Sequence, residues 1–365
     1  MAATPRRTPL HDEHRSLGAK IGPFAGWAMP IEYEGVLAEH RAVRERVGLF
    51  DLSHLGKVDV AGPGALGTLQ RVFTGDLSKT EVGRALYNLL LNDRGGVEED
   101  LIAYRLGEGR WFVVPNAANT EKVVSTLRGD AKGAEVVSHE DWCFLGVQGP
   151  RSAEVCLALF PETAGLRFMG CVETEYHGRR LVLARSGYTG ELGFELFTDA
   201  GLARDLWRDV MAAGAPFNIE PCGLGARDVL RLEMGYPLYG QDLSPERTPL
   251  QAGLSWAVAF DKGDFRGREA LLSQREEGLP NRLRGFVVDD RRHIPRAHYA
   301  VYADGEQVGE VTSGTFSPSL QRGIALAYLA PADGFEPGTQ VEVDVRGRRG
   351  TARIAKPPFV DRSPH

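Results

Sequence analysis

The sequence lacks several features that would give a quick classification. No stretch approaches the roughly 18 apolar residues a membrane-spanning helix needs. No Cys-x-x-Cys pair occurs. The four cysteines, Cys143, Cys156, Cys171 and Cys222, are scattered. That spacing argues against a zinc ribbon or a disulfide framework and suits small buried thiols in a reducing, cytoplasmic setting. There is no excess of positive charge. The net charge of −6 removes the general attraction to polyanions that a nucleic-acid binder needs. The amino-terminal "MAATPRRTPL" has two arginines but no apolar segment behind them, so it does not read as a secretory signal. No tandem repeat or low-complexity tract is visible.

The remainder is ordinary globular composition. With 365 residues, 42% hydrophobic and 25% charged, two or three domains with normal cores are expected. Strand-like and helix-like segments are mixed, without regular βαβ alternation. "ALYNLLL", the turn "NDRGG" and "VEEDLIAY" predict a hairpin with a five-residue loop. "RRLVLARS" and "FELFTD", on either side of "GYTGELG", predict a second. "LARDLWRDVMAAG" and "ARDVLRLE" predict helices. Beyond about residue 275 the chain turns to short strands with Gly and Asp-Gly turns, Asp304-Gly305 being a strong hairpin signal. The reading is α+β, with residues 1–275 forming two intertwined α+β subdomains and residues 276–365 a small all-β, barrel-like domain. The boundary is expected in "LLSQREEGLPNR".

Several motifs tempt. Gly62, Gly64 and Gly67 have G-x-G-x-x-G spacing between a strand and a helix, the context of a dinucleotide fingerprint. The next strand ends without an acid for a ribose hydroxyl, and the βαβ pattern does not continue. A tight turn is the simpler reading. His11 and His14 in "HDEH" lie one helical turn apart, but no third metal ligand is nearby, and a solvated helix face is expected. His54 in "DLSHLG" has no G-x-S-x-G partner, so a structural or pocket-wall histidine is expected. The basic "RGRRGTARIAK" is expected to be a solvated strand pair, with partner docking as the minor option.

The more specific signal is a pair of acids. Alternate residues of a strand share a face. Asp100 therefore lies with Glu98, Ile102 and Tyr104, and Glu99 lies opposite, with Val97, Leu101 and Ala103. An acid beside Tyr and Ile suits a flat, partly apolar ligand rich in N–H donors, although an acidic strand end at the surface would read the same. Glu195, between Phe194 and Leu196, makes a similar case. An ionised carboxylate can accept from an amino group beside a ring N–H, the edge that pterins carry. Arg227 opens "ARDVLRLE", where Asp228 and Arg231 suit an i, i+3 ion pair. That leaves Arg227 able to grip a ligand carboxylate or carbonyl.

"FAGWAMPIEYEG", "GLFDLSHLGKVDVAGPGA", "NDRGGVEEDLIAY", "VVPNAANTEK", "RSGYTGELGFEL", "GLGARDVLRLEMGYPLYGQDL", "TPLQAGLSWAV" and "SGTFSPSLQRGIALAYL" resemble, in order, the aminomethyltransferase (T-protein) family of the glycine cleavage system. The resemblance implies a cloverleaf-like, multi-domain α+β fold with tetrahydrofolate as co-substrate in a central channel. It implies a lipoylated H-protein as partner, and no metal, flavin or nicotinamide. It places the catalytic aspartate on Asp100, the pterin-binding glutamate on Glu195 and a folate-contacting arginine on Arg227. Tyr87, Ile102, Tyr104, Asn116, Tyr188 and Tyr236 match positions that line or support the folate pocket. Arg362 matches a further contact in a variable tail. The family often has two aspartates where this chain has Glu99-Asp100. Leu55 stands where it often has methionine, a volume-conserving exchange. The nearest alternatives are a folate domain like those attached to sarcosine or dimethylglycine dehydrogenases, and a non-enzymatic folate-binding protein. An oxidoreductase using "GPGALG" is more distant.

Overall fold

The computed structural model describes residues 4–364. It begins with a three-stranded sheet of β1 (Arg6–Arg7), β2 (Lys20–Phe24) and β3 (Trp27–Glu32). An 11-stranded sheet dominates the molecule. Its strands are β4 (Gly48–Asp51), β5 (Val58–Ala61), β6 (Arg84–Leu91), β7 (Val97–Gly107), β8 (Arg110–Val114), β9 (Glu135–Ser138), β10 (Trp142–Gln148), β11 (Gly170–Tyr176), β12 (Arg179–Arg185), β13 (Gly193–Asp199) and β14 (Glu220–Cys222). They run in the order β14-β4-β10-β13-β12-β11-β6-β7-β8-β5-β9. Six further strands close a barrel: β15 (Arg282–Val288), β16 (Ala300–Ala303), β17 (Glu306–Ser317), β18 (Arg322–Leu329), β19 (Gln340–Val345) and β20 (Arg348–Ala355). The helices are α1 (His11–Ser16), α2 (Val36–Glu45), α3 (Ala65–Val72), α4 (Thr120–Asp130), α5 (Ser152–Leu159), α6 (Ala203–Gly214), α7 (Leu224–Glu233) and α8 (Arg268–Glu277). Helix α8 occupies the first half of the stretch expected to link the domains.

The long sheet is two half-sheets joined at a narrow point. β11 meets β6 through one residue pair, Gly170 with Arg84. On the outer face of one half, α5 and α6 bury Val155, Leu206, Trp207 and Val210 against Leu145, Leu183, Phe194 and Leu196. On the outer face of the other, α3 and α4 bury Leu69, Val72, Val123 and Leu127 against Val58, Val60, Leu101 and Val113. A third core combines residues of both halves: Phe50, Tyr104, Phe112, Phe144, Val182 and Phe197. The sheet therefore folds over on itself, with its helices outside and one shared apolar layer inside.

Turn chemistry accounts for the hairpins. Asn92 Oδ1 accepts from the amides of Arg94 and Gly96, at 3.0 and 2.9 Å, closing the β6–β7 loop. Asp304 and Gly305, between β16 and β17, both have left-handed backbones (φ 50° and 88°), as a tight hairpin turn requires. The expectation of a solvated histidine face on α1 is wrong. Asp12 and Arg15 are exposed, but His11 and His14 are buried. His14 Nε2 lies 2.8 Å from Asp51 Oδ2, its Nδ1 lies 2.9 Å from Tyr33 Oη, and its ring edge meets Trp207. The acids at the i+1 and i+2 positions of "HDEH" made the helix look polar all round. The helical period instead turns both histidines to the same, inward side.

The Gly62/Gly64 turn is a packing device. The Gly64 amide donates to Gly133 O at 2.8 Å, so it is not free to hold a phosphate. A Cβ on Gly64 would lie 1.8 Å from Lys132 O. A Cβ on Gly67 would meet only the end of Arg71, at 3.3 Å. Gly64→Ala is therefore expected to destabilise by about 2 kcal/mol or more. Gly67→Ala, inside α3, should be neutral or stabilise by up to about 1 kcal/mol. Urea unfolding of both variants checks the contrast, and equal effects would contradict it.

Candidate active site

On β7, Leu101 and Ala103 pack outward with α3 and α4, while Ile102 and Tyr104 point into the shared inner layer. Alternation carries Asp100 to that inner face as well. On β13, Phe194 and Leu196 pack outward, and Glu195 and Phe197 lie on the inner side. The two acids thus share one interior, although β7 and β13 are four steps apart in the sheet. In a flat sheet those strands would be about 19 Å apart. Here the Tyr104 hydroxyl donates to Glu195 Oε2 at 2.7 Å. Ser186 Oγ donates to the same oxygen. No described residue donates to Glu195 Oε1, which leaves that edge available to a ligand. Burial pushes the Glu195 carboxyl up, opposed by the Ser186 and Tyr104 hydrogen bonds and by the positive charge of Arg227.

Asp100 lies about 13 Å along β7 from Tyr104. The Tyr87 hydroxyl donates to Asp100 Oδ2 at 2.9 Å, and Asn116 Nδ2 donates to Oδ1 at 3.0 Å. Each oxygen retains a lone pair for a ligand. Burial pushes Asp100 up to about 6 even though both hydrogen bonds pull the other way. Glu99 faces the outer layer and is fully buried. It accepts from the amide of Asn116 and from Asn119 Nδ2, so it holds the loop that presents Asn116 to Asp100. Burial, then the charge of Asp100, pushes Glu99 well above the usual carboxylate range.

Arg227 completes the group. Its Cζ sits 4.7 Å from the centre of the Tyr188 ring, and Tyr188 stacks on Tyr236 with centroids 5.7 Å apart. The Tyr188 hydroxyl donates to Pro237 O. The Arg227 guanidinium makes no hydrogen bond or ion pair with any described residue; burial pushes it down, opposed by the charges of Tyr188 and Glu195. One turn further on, Arg231 is locked between Asp228, Asp242 Oδ2 (2.9 Å) and Ser313 Oγ (2.9 Å), as the i, i+3 spacing suggested. Leu55 and Ile102 pack against the inner core. Arg362 is not brought to either acid. Its Nε lies 3.6 Å from Glu191 Oε1, beside the Arg44–Glu191 pair.

Sequence reasoning missed three features. Glu99 lies opposite Asp100 as alternation predicts, but its full burial has no signal in the sequence. Ser186, the last residue before the glycine-rich turn, shares Glu195 with Tyr104. Trp256 is 68% exposed and lies against Tyr87, the partner of Asp100, with centroids 5.4 Å apart. Among the apolar neighbours of "AGLSWAVAF" nothing in the sequence marks this tryptophan as the exposed one.

The protein is thus an α+β protein built on a folded-over sheet, with two inward carboxylates, one open acceptor edge and a half-buried arginine whose guanidinium makes no ion pair. Comparison with known proteins makes this specific. Residues 10–262 match the family model described as the GCVT N-terminal domain. Residues 281–361 match the glycine cleavage T-protein C-terminal barrel domain. The chain belongs to the glycine cleavage T-protein family. It is 49% identical to the aminomethyltransferase of Parafrankia sp. (strain EAN1pec), over 98% of this chain and 99% of that one. It is 41% identical to that of Halothermothrix orenii, over 97% and 100%. A crystal structure of the glycine cleavage system aminomethyltransferase T from Bartonella henselae superposes with a TM-score of 0.92 at 36% identity, covering 98% of this chain and 99% of that one. These full-length likenesses favour neither the dehydrogenase-type folate domain nor the non-enzymatic binder. No helix among the described residues is long and apolar enough to cross a membrane.

The raised Asp100 carboxyl has a consequence for stability. A carboxyl that binds its proton more tightly in the folded state loses stability as pH rises from about 4 to about 6, and the loss is complete above that. Asp100→Asn keeps an acceptor for one donor and removes this loss. The variant should be more stable than the parent, and its advantage should be about 1 kcal/mol larger at pH 8 than at pH 5. Thermal or urea unfolding at both pH values decides. An advantage independent of pH would mean that Asp100 is not the titrating group.

Proposed function

We propose that the chain acts as the aminomethyltransferase of the glycine cleavage system, with Asp100 at the reacting atoms and Glu195 and Arg227 holding tetrahydrofolate. The observation that supports this reading is that Tyr104, on the same strand and face as Asp100, bonds Glu195, so both acids border one interior. The donor is an aminomethyl group on a dihydrolipoyl sulfur of H-protein. The transfer yields 5,10-methylenetetrahydrofolate, ammonia and the free dihydrolipoyl thiol. The two protons given up by the folate nitrogens leave with ammonia and with sulfur, so the reaction balances without an oxidant or reductant.

Each residue has a definable task. Glu195 Oε1 is an open acceptor for an amino group beside a ring N–H, the edge of a pterin. Arg227 is a half-buried cation that a ligand carbonyl or carboxylate would satisfy. Tyr188 and Tyr236 form a flat wall beside it. Asp100, held from both sides by Tyr87 and Asn116, has a fixed orientation. A carboxyl near pH 6 can accept a proton from a folate nitrogen and release it again, and its charge favours positive charge developing at that nitrogen.

The activity test is ammonia release from aminomethyl-loaded H-protein with and without tetrahydrofolate; no dependence on tetrahydrofolate would refute the reading. In Asp100→Asn, turnover should fall about 100-fold or more while tetrahydrofolate affinity stays within about tenfold. The limb of the wild-type kcat–pH profile near 6 should disappear with it. Glu195→Ala should weaken tetrahydrofolate binding by about tenfold or more, since buried ligand donors lose their acceptor. Direct binding measurements would show the split, and normal turnover in Asp100→Asn would remove that residue from the chemistry.

A further inference from the structure

Residues 186–192, between β12 and β13, carry two groups of the candidate site. Ser186 Oγ donates to Glu195, and the Tyr188 ring lies against Arg227 and Tyr236. No helix or strand covers this segment. Its polar groups are met largely from outside it. Gly149 N and Ser152 Oγ donate to Leu192 O at 2.8 and 3.0 Å, and Arg44 Nη1 donates to Thr189 O at 2.7 Å. The backbone around Tyr188 is held by one further side chain, Gln148.

Gln148 ends β10 and is 1% exposed. On that strand Cys143, Leu145 and Val147 pack outward and Phe144 inward, so alternation turns Gln148 to the inner face. Its Nε2 donates to Ser186 O at 3.1 Å, and its Oε1 accepts from Thr189 Oγ1 at 2.8 Å. A carbonyl oxygen can only accept, so the amide nitrogen must face Ser186, and this fixes the direction of the amide. The amide therefore spans Tyr188, bonding one residue before it and one after it. A Cβ on Gly187 or on Gly193 would collide with the same amide. "SGYTGELG" is thus glycine-rich in part because the chain wraps closely round a buried glutamine. A glutamine that only filled the core would need two partners, but not partners that flank a residue of the site.

We infer that Gln148 is a positioning residue: its amide sets the backbone on both sides of Tyr188, and so fixes where Ser186 meets Glu195 and where the Tyr188 ring meets Arg227. The inference rests on the folate-binding role proposed above and extends it to a side chain outside the pocket groups already named. Asp100 does not depend on this segment, because Tyr87 on β6 and Asn116 between β8 and α4 orient it. Folate binding and turnover should therefore separate.

The test uses the full chain. Gln148→Met keeps the length of the side chain and removes both the donor and the acceptor. Direct binding should show the tetrahydrofolate Kd raised about tenfold or more, with KM for aminomethyl-loaded H-protein within about twofold and kcat at saturating tetrahydrofolate within about threefold. A merely structural role would lower the yield of folded protein and leave the Kd of the folded fraction at the parent value. Thr189→Val removes only the bond to Oε1 and should raise Kd about threefold, while Thr189→Ser, which keeps the hydroxyl, should stay within about twofold of the parent. Adding Thr189→Val to Gln148→Met should change Kd by less than about twofold, since both remove the same bond. Arg44 still holds Thr189 O in the Thr189 variants, so that series decides the matter if Gln148→Met does not fold. A parent-like Kd in Gln148→Met, or in Thr189→Val where only that series folds, would overturn the inference alone. A rise in H-protein KM equal to the rise in Kd would also overturn it, by marking a general loosening of the fold. A wild type whose ammonia release does not depend on tetrahydrofolate would overturn the function and this inference together.

Discussion

One hydrogen bond expresses the constraint on which the rest of the molecule depends. Tyr104 and Glu195 are 91 residues apart in sequence and four strand steps apart in the sheet, yet their side chains touch. They can do so only because the sheet narrows to a single residue pair between β11 and β6 and folds over there. Folding over creates an inner layer lined by both half-sheets. It also leaves each outer layer free to take its own pair of helices, so each half is buried on both sides.

Helix α7 then ties this interior to the barrel. Its Arg227 faces the site, while Arg231 and Glu233 point to the other domain. Arg231 is held by Asp242 and Ser313, and Glu233 by His40, Arg44, Ser317 and Ser319. Breaking one partner of such a buried charged network is typically worth about 3–5 kcal/mol. The barrel therefore acts as a clamp on the helix that carries Arg227, and a defect at the α7–barrel contact would be felt at the site without touching it.

Much of the local structure was legible because it depends on local rules. The period-2 pattern of "VEEDLIAY" placed Asp100 and Tyr104 together and Glu99 opposite, and the structure has that arrangement. The Asn92–Gly96 loop and the Asp304-Gly305 turn follow from backbone preferences of the residues in them. His14 failed the same approach. Its buried place depends on Asp51, Tyr33 and Trp207, which come from three distant parts of the chain. The face of Glu99 is legible but its burial is not, since an acid facing an apolar layer looks wrong until Asn116 and Asn119 supply its donors.

The amino-acid order alone determined the elements, the faces their side chains take and the family, because propensity, alternation and motif spacing act over a few residues at a time. The meeting of Glu195 with Tyr104, the burial that lifts Asp100 toward 6 and the placing of Arg227 within reach of the Glu195 charge but outside any ion pair belong to the tertiary structure. These are matters of distance and solvent access between segments far apart in the chain, and such quantities do not exist until the sheet has folded over.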